Sequence, residues 1–474
     1  MDKKKLLFVN PSMIELYKNA KVKAAVPIYP PLNLLTVAGA LIKDGHEVRV
    51  IDLDVYSQNE IFSEFQKTLM EFKPDYLGLT FASALYEQCL KIVDMAKEAF
   101  PNIIIAAGGS HASSDPESTL RDTKIDLAIM GEGDFTLSEY ISGKPINEIK
   151  GLAYKENGEV HVNEKRPFLI NLDELPYPAW DLIDITKYKI PYTTCRANPV
   201  APIETSRGCA WGCTYCTKSV FGRNFRFKSP ERVVDEIKLL VKRGFKEFHI
   251  FDDMFTTRKE RVKEICRLMI KDNVKIHWNC FNGIRSDMVD EELISLMKQA
   301  GCYRVSFGAE SGDNEILKSI DKEQTVEIVR NAFKICAKVG METVGFFMLG
   351  LPGEKEEHLR KTINFAKELN PDFAKFGIFI PLPSTPLYNE LKEKGLITLA
   401  SWSNLGIHKG MDNWKHPYLS QLTIKKYYGK AFREFYLRPA YVFKRFASSL
   451  KQGNIINDIR TFLSVRWYES FWDN

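Results

Sequence analysis

No stretch of the 474 residues is apolar for long enough to cross a bilayer, and Leu6-Leu7-Phe8-Val9, behind Met1-Asp2-Lys3-Lys4-Lys5, is too short for a signal peptide. A cytoplasmic location is expected. A charge excess of one sign is also missing: Lys+Arg 66 against Asp+Glu 61 leaves a formal +5, too weak to argue for nucleic acid. A disulfide framework is excluded by an odd count of nine cysteines, of which Cys89, Cys195, Cys266, Cys280, Cys302 and Cys336 lie singly in apolar runs. No internal repeat or low-complexity tract is evident. With 45% hydrophobic residues the chain buries large cores, and its length implies several domains.

What is present is Gly208-Cys209-Ala210-Trp211-Gly212-Cys213-Thr214-Tyr215-Cys216, three thiols at the spacing C-x3-C-x2-C. Gly208 and Gly212, lacking Cβ, let the backbone fold tightly around a small inorganic body. Cysteine thiolates hold iron-sulfur clusters, and a cubane has four irons, so three ligands leave one iron open to a small molecule. An open metal position points to chemistry. The alternatives are a zinc knob short of its fourth ligand or three buried thiols. No His or Cys follows at a finger-like distance, which favours a cluster.

This segment, with Tyr215 before the last thiol, resembles the cluster loop of the radical S-adenosylmethionine superfamily. The resemblance implies a 4Fe-4S cluster on Cys209, Cys213 and Cys216. In that family the open iron chelates S-adenosylmethionine, which an electron cleaves to a 5'-deoxyadenosyl radical. An electron donor such as a flavodoxin or ferredoxin is implied as a partner.

About residues 1 to 145 alternate strand and helix, with strands expected at Leu6 to Val9, Val48 to Ile51, Tyr76 to Thr80, Ile103 to Ala107 and Leu127 to Met130. That order predicts a doubly wound, Rossmann-like parallel sheet, whose ligand sits beyond the carboxyl ends of the strands. Those ends carry Asn10, Thr80 to Ser83, Gly108-Gly109-Ser110-His111 and Gly131-Glu132-Gly133. Small residues there clear room for something flat and broad, and a nucleotide or flavin would fit the same description. Placed before a cluster domain, Tyr29-Pro30-Pro31-Leu32-Asn33-Leu34-Leu35 and the two glycine loops resemble the cobalamin-binding domain of the cobalamin-dependent branch of that superfamily. The implied cobalamin contacts are Asn10, Leu32, Thr80, Ser83, Gly108, Gly109, His111, Gly131, Glu132 and Gly133. The D-x-H-x-x-G signature of methionine-synthase-like domains is absent; its nearest echo, Asp44-Gly45-His46-Glu47-Val48-Arg49, follows a helix and lacks the final glycine. Cobalt therefore takes no His from that motif. His111 is the best-placed imidazole, either as a ligand or as a loop residue bonding backbone or the corrin periphery.

Residues 146 to 198 read as a connector, with a hairpin around Asn157-Gly158 and a proline-broken stretch, Leu175-Pro176-Tyr177-Pro178-Ala179-Trp180, draped between domains. From about 199 to 400, six strands separated by helices predict a partial (β/α)6 barrel with functional groups at the carboxyl ends. Those ends hold Asp252 and Asp253, Arg285, Glu310 and Ser311, and Gly350. By resemblance Asp252 or Asp253 meets the ammonium of S-adenosylmethionine, although either could instead cap a helix. Arg285 suits its carboxylate, Glu310 and Ser311 the ribose or methionyl part, and Gly350 a close backbone approach.

Residues 401 to 474 form a helical C-terminal region. From 425 onward it is basic and aromatic, with Lys425, Lys426, Lys430, Arg433, Arg438, Lys444, Arg445, Arg460 and Arg466 among Tyr427, Tyr428, Phe432, Tyr436, Phe443, Phe446 and Trp467. Such a face suits an anionic membrane or a greasy substrate, or else helices packed on the barrel's open side. The resemblance implies a methyltransferase acting on an unactivated carbon, and the basic-aromatic tail points to a small, lipid-like substrate. A cyclisation or rearrangement in the same branch is the alternative, and a redox-sensing iron-sulfur protein is the non-catalytic one.

Overall fold

The structure, a computed structural model, describes residues 2–14, 26–399, 410–453 and residues 455, 456 and 459. Arg460, Arg466 and Trp467 lie outside the described residues.

The first sheet contains β1 (Lys5–Asn10), β2 (Glu47–Asp52), β3 (Tyr76–Thr80), β4 (Ile104–Gly108), β5 (Leu127–Ile129), β6 (Leu152–Glu156) and β7 (Glu159–Val162), in the order β2-β1-β3-β4-β5-β6-β7. Continuous apolar runs are needed because both faces are covered. Leu7 and Val9 of β1 enter one core with Phe65 and Ile92, while Leu6 and Phe8 enter the other with Leu34 and Leu41. Gly78 makes room for this: a Cβ there would stand 2.1 Å from a ring carbon of Phe8.

One expectation is corrected. The hairpin read as part of a connector is the sheet's edge, β6 pairing antiparallel with β5 from Leu127↔Tyr154 to Ile129↔Leu152. Leu152, Ala153 and Tyr154 are buried, so the first sheet runs on to residue 162 and ends in two antiparallel strands. The proline-broken stretch does pack between the two halves. Ala179 donates its N–H to Leu35 O at 2.9 Å, and Trp180 is buried edge-on to Phe245 at 5.1 Å.

The second sheet holds six parallel strands in the order β15-β14-β13-β12-β11-β8: β8 (Val200–Ile203), β11 (Glu247–Ile250), β12 (His277–Ile284), β13 (Cys302–Glu310), β14 (Glu342–Leu349) and β15 (Phe373–Ile378). A short antiparallel ribbon, β9 (Ser206–Arg207) with β10 (Arg226–Phe227), flanks the cysteine loop. Helices follow as the pattern predicts. Ser229 caps Pro230–Lys242 by accepting the Arg232 N–H, with Pro230 in the first turn. Strands β12 and β13 exceed their apolar signals because irregular register shifts carry them on, which makes Glu310 the last residue of β13.

Helix Gln421–Tyr436 closes the β15 side, burying Ile424, Tyr427, Ala431 and Phe435, and the Tyr436 hydroxyl donates to Ala374 O at 2.7 Å. Packing therefore accounts for this helix. Helix Pro439–Gln452 leaves Phe443 76% and Phe446 51% exposed.

Candidate functional site

The cysteine loop is held from many sides. Gly208 has φ +82, and a Cβ there would stand 2.4 Å from Asn224 O. Its N–H donates to the Asp253 carboxylate at 3.1 Å. The Thr214 N–H reaches Ile320 O at 3.1 Å, Arg223 donates to Ala210 O at 3.1 Å, and Lys218 donates to Trp211 O. Cys209, Cys213 and Cys216 are free thiols, the first two half-buried and the third exposed. Desolvation raises the Cys209 thiol, with Cys213 adding to it, and both raise Cys216. The three thiols share one loop and act on one another electrostatically, and three thiolates are a donor set whose number and chemistry suit a multiply charged iron-sulfur core.

The strand-end polar residues divide. Asp252 is buried, and its carboxylate accepts from Thr205 N (2.6 Å), Thr205 Oγ1 (2.6 Å) and Ser206 Oγ (2.5 Å), so it braces the approach to the loop and Asp253 is the exposed member of the pair. Arg285 is buried and bidentate to Asp287 at 2.8 and 3.0 Å; it also donates to Lys322 O and Glu323 O and stacks on Trp211 at 4.4 Å. Its donors are taken, and it positions the cluster loop through Trp211. Ser311 lies fully buried against Thr362 at 3.3 Å. Gly350, at φ +83, makes its close approach to the C-terminal helix, where a Cβ would meet Ile424 at 3.1 Å. Tyr215 and Glu310 remain together: the Tyr215 hydroxyl donates to Glu310 at 3.0 Å, and Lys322 donates to the same oxygen at 2.8 Å.

A cavity of about 390 Å³ lies between the two sheets. Leu32, Thr80, Gly108, Gly109, Gly131, Glu132 and Gly133 line it from the first sheet; Glu204, Arg207, Phe221 and Phe251 close it from the barrel side. Gly109 has φ +101, and a Cβ there would come 3.2 Å from Phe81 O. A broad, mostly apolar cradle floored by glycines at strand ends fits the flat corrin expected from the sequence. Three expected contacts lie elsewhere. Asn10 donates to Asp52 at 2.9 Å; Ser83 bonds His111 Nδ1 at 2.8 Å; His111 is buried against Phe81 and Tyr86, and burial pushes it down to about 4. The phase of the helix after Gly109 turns that imidazole away from the cavity.

Sequence reasoning missed how the halves are joined. Arg207, two residues before Cys209, donates to Asp134 at 2.6 and 3.1 Å, to Glu132 at 3.3 Å and to Glu204 at 2.7 Å. Glu132 also accepts from Arg226 at 2.6 Å and Leu169 N at 2.9 Å. Its carboxylate is therefore a clamp, while the glycines on either side line the cavity. Tyr29 was missed as well: its hydroxyl meets His249 Nδ1 at 2.6 Å inside the barrel, and its ring packs edge-on to Phe251 and Phe281. The period-two inward positions Glu247, His249 and Phe251 were the available signal.

Fold and site together describe a class: a parallel-sheet domain with a glycine-floored cavity, clamped to a partial barrel that carries a three-cysteine loop. Residues 203–366 match the Radical SAM superfamily and residues 21–141 the B12 binding domain. An uncharacterized methyltransferase of Pyrococcus horikoshii is 33% identical over 422 residues, 88% of this chain and 89% of the relative. The cytidylyl-2-hydroxyethylphosphonate methyltransferase of Streptomyces wedmorensis is 28% identical (83% and 82% covered), and an anaerobic magnesium-protoporphyrin IX monomethyl ester cyclase of Rubrivivax gelatinosus 29% (77% and 67%). The solved structure of the cobalamin-dependent S-adenosylmethionine radical enzyme OxsB shares the fold, with TM-score 0.74 over 98% of this chain and 72% of that one at 19% identity. The chain belongs to the cobalamin-dependent branch of the radical S-adenosylmethionine superfamily. Its cofactors are a 4Fe-4S cluster, S-adenosylmethionine and cobalamin.

Proposed function

We propose that the protein methylates an unactivated carbon of a small molecule held between the cluster loop and the cobalamin cavity. The observation that carries this reading is the buried clamp of Arg207 with Glu132 and Asp134, which fixes the loop of Cys209, Cys213 and Cys216 to the rim of the cavity. When bound, the cluster supplies the electron that cleaves S-adenosylmethionine, and cobalamin supplies a transferable methyl group. Cys209, Cys213 and Cys216 hold the cluster. Asp253, exposed beside Gly208, and Glu310, held by Tyr215 and Lys322, offer carboxylates to the ammonium and hydroxyl groups of S-adenosylmethionine. Gly108, Gly109, Gly131 and Gly133 keep the corrin face clear, and Phe251 and Phe221 exclude water from the shared space.

Anaerobic incubation of the reconstituted protein with S-adenosylmethionine, reductant and cobalamin tests this. Methyl transfer gives 5'-deoxyadenosine and S-adenosylhomocysteine together. The cyclase relative favours a second reading, cyclisation or rearrangement, which would give no substrate-linked S-adenosylhomocysteine. A flavodoxin or ferredoxin is the proposed electron donor.

Among the described residues no helix is long and apolar enough to cross a membrane. Peripheral contact with an anionic bilayer is proposed through the exposed Phe443, Phe446 and Leu450 of one helix. Phe443→Asp should then lower liposome flotation without loss of S-adenosylmethionine cleavage; unchanged flotation rejects the contact.

A further inference from the structure

Inward-facing side chains at the lower end of the barrel satisfy one another. Glu247 accepts from Tyr303 at 2.5 Å and meets His249 at 2.6 Å, Asn279 bonds His249 at 2.8 Å, and Arg304 donates twice to Glu342 at 2.9 and 3.1 Å. Lys375 on β15 has no such partner. Among the described residues its side chain makes no hydrogen bond or ion pair, and its ammonium stands 4.8 Å from the centre of the Phe281 ring and 5.5 Å from that of Phe346.

Strand β15 is an edge, where a lysine commonly guards against stray pairing by pointing into water. Lys375 is exposed, but it opens onto the groove inside the barrel and lays its ammonium against two rings. Phe346 is its register neighbour on β14, and Phe281 lies two strands farther on, on β12, so the side chain reaches across the lumen. It lines a groove of about 460 Å³ together with Tyr215 and Glu310, beside the cluster loop. Phe281 in turn stacks on Phe251, which lines the cobalamin cavity. The ammonium therefore stands between the two places where the cofactors belong.

Ring faces return about 0.5–2 kcal/mol to a cation, less than a paired anion would. Desolvation, helped by Arg304, holds the ammonium down to about 8. We propose that Lys375 determines substrate specificity: the substrate carries an anionic oxygen group on a flat apolar body, the ammonium taking the anion and Phe281 and Phe346 the apolar face. This rests on the reading of the groove beside the cluster loop as the substrate site, and its test needs no turnover.

The probes are 1-anilinonaphthalene-8-sulfonate and its uncharged counterpart N-phenyl-1-naphthylamine, titrated by fluorescence into cobalamin-loaded protein. Lys375→Gln should weaken the sulfonate dye about 10- to 100-fold, the worth of one charge-assisted bond, and leave the neutral dye unchanged. Lys375→Arg should stay near wild type, which separates lost charge from lost folding. Displacement of the bound sulfonate dye by 1-naphthoate identifies a carboxylate substrate, and displacement by 1-naphthyl phosphate a phosphorylated one. Equal loss of both dyes in Lys375→Gln, an unchanged sulfonate affinity, or displacement by neither anion would overturn the assignment. None of these results bears on whether 5'-deoxyadenosine and S-adenosylhomocysteine form together, so methyl transfer stands or falls separately.

Discussion

The two sheets present their carboxyl ends in opposite ways. Of the first sheet's signals, the small residues Gly108, Gly109, Gly131 and Gly133 all line the cavity, whereas of the polar ones only Thr80 and Glu132 do, and Asn10, Ser83 and His111 bond elsewhere. In the barrel the polar ends dominate, and Asp252, Arg285 and Ser311 are consumed by their own neighbours. The difference has a physical cause. The missing Cβ atoms of the glycines at the first sheet's strand ends leave room in the cavity, while a carboxylate or guanidinium held out of water must find a partner, and the nearest loop supplies one.

The largest effect expected of any substitution is at the thiols. Changing Cys209, Cys213 and Cys216 together to Ala should remove iron and sulfide from the protein, while Cys89→Ala or Cys336→Ala leaves both in place, since those thiols are buried in helices. Metal and sulfide analysis checks both arms.

Next is the clamp that joins the two sheets. Arg207→Gln leaves Asp134 buried without its cation and Glu132 with Arg226 alone, and should cost about 3–5 kcal/mol in denaturant unfolding, with loss of cobalamin uptake. Arg243→Gln, at the exposed pair with Asp181, should cost about 0–1 kcal/mol.

The pH response separates the halves further. The imidazole of His111 is lowered to about 4, so between about 6.5 and 4 the folded state binds fewer protons than the unfolded state. Its contribution is complete above 6.5 and fades as pH falls toward 4, on the order of 3 kcal/mol in all. His111→Phe should flatten that acid limb in urea titrations at stepped pH.

Asp252 and Asp253 give the finest contrast. Asp252→Asn disturbs three short bonds and should cost about 1–3 kcal/mol. Asp253→Asn should leave the melting curve within about 0.5 kcal/mol and instead weaken S-adenosylmethionine binding in calorimetry.

The architecture was legible because periodicity reports burial directly. Runs such as Leu6 to Val9 must face two cores, and the helix beginning at Ser229-Pro230 announces its own cap. The cysteine loop was equally clear, since no packing role demands three thiols and two glycines at that spacing. The hairpin's attachment was not, because an Asn-Gly turn says nothing of which edge its strands will join. Nor was the role of Glu132, whose neighbours in sequence line the cavity while its own carboxylate turns to Arg207 and Arg226. Lys375 escaped for the same reason: an edge-strand lysine gives no sign in sequence that its exposed ammonium will lie in the groove against Phe281.

The central claim, that the Arg207 clamp makes the cobalamin cavity and the cysteine loop face one space, is tested most directly by pulsed electron paramagnetic resonance on fully loaded protein. Cobalt in its paramagnetic Co(II) form and the reduced cluster should show a resolved dipolar coupling that weakens or broadens in Arg207→Gln. Two full-occupancy signals with no mutual coupling would contradict it.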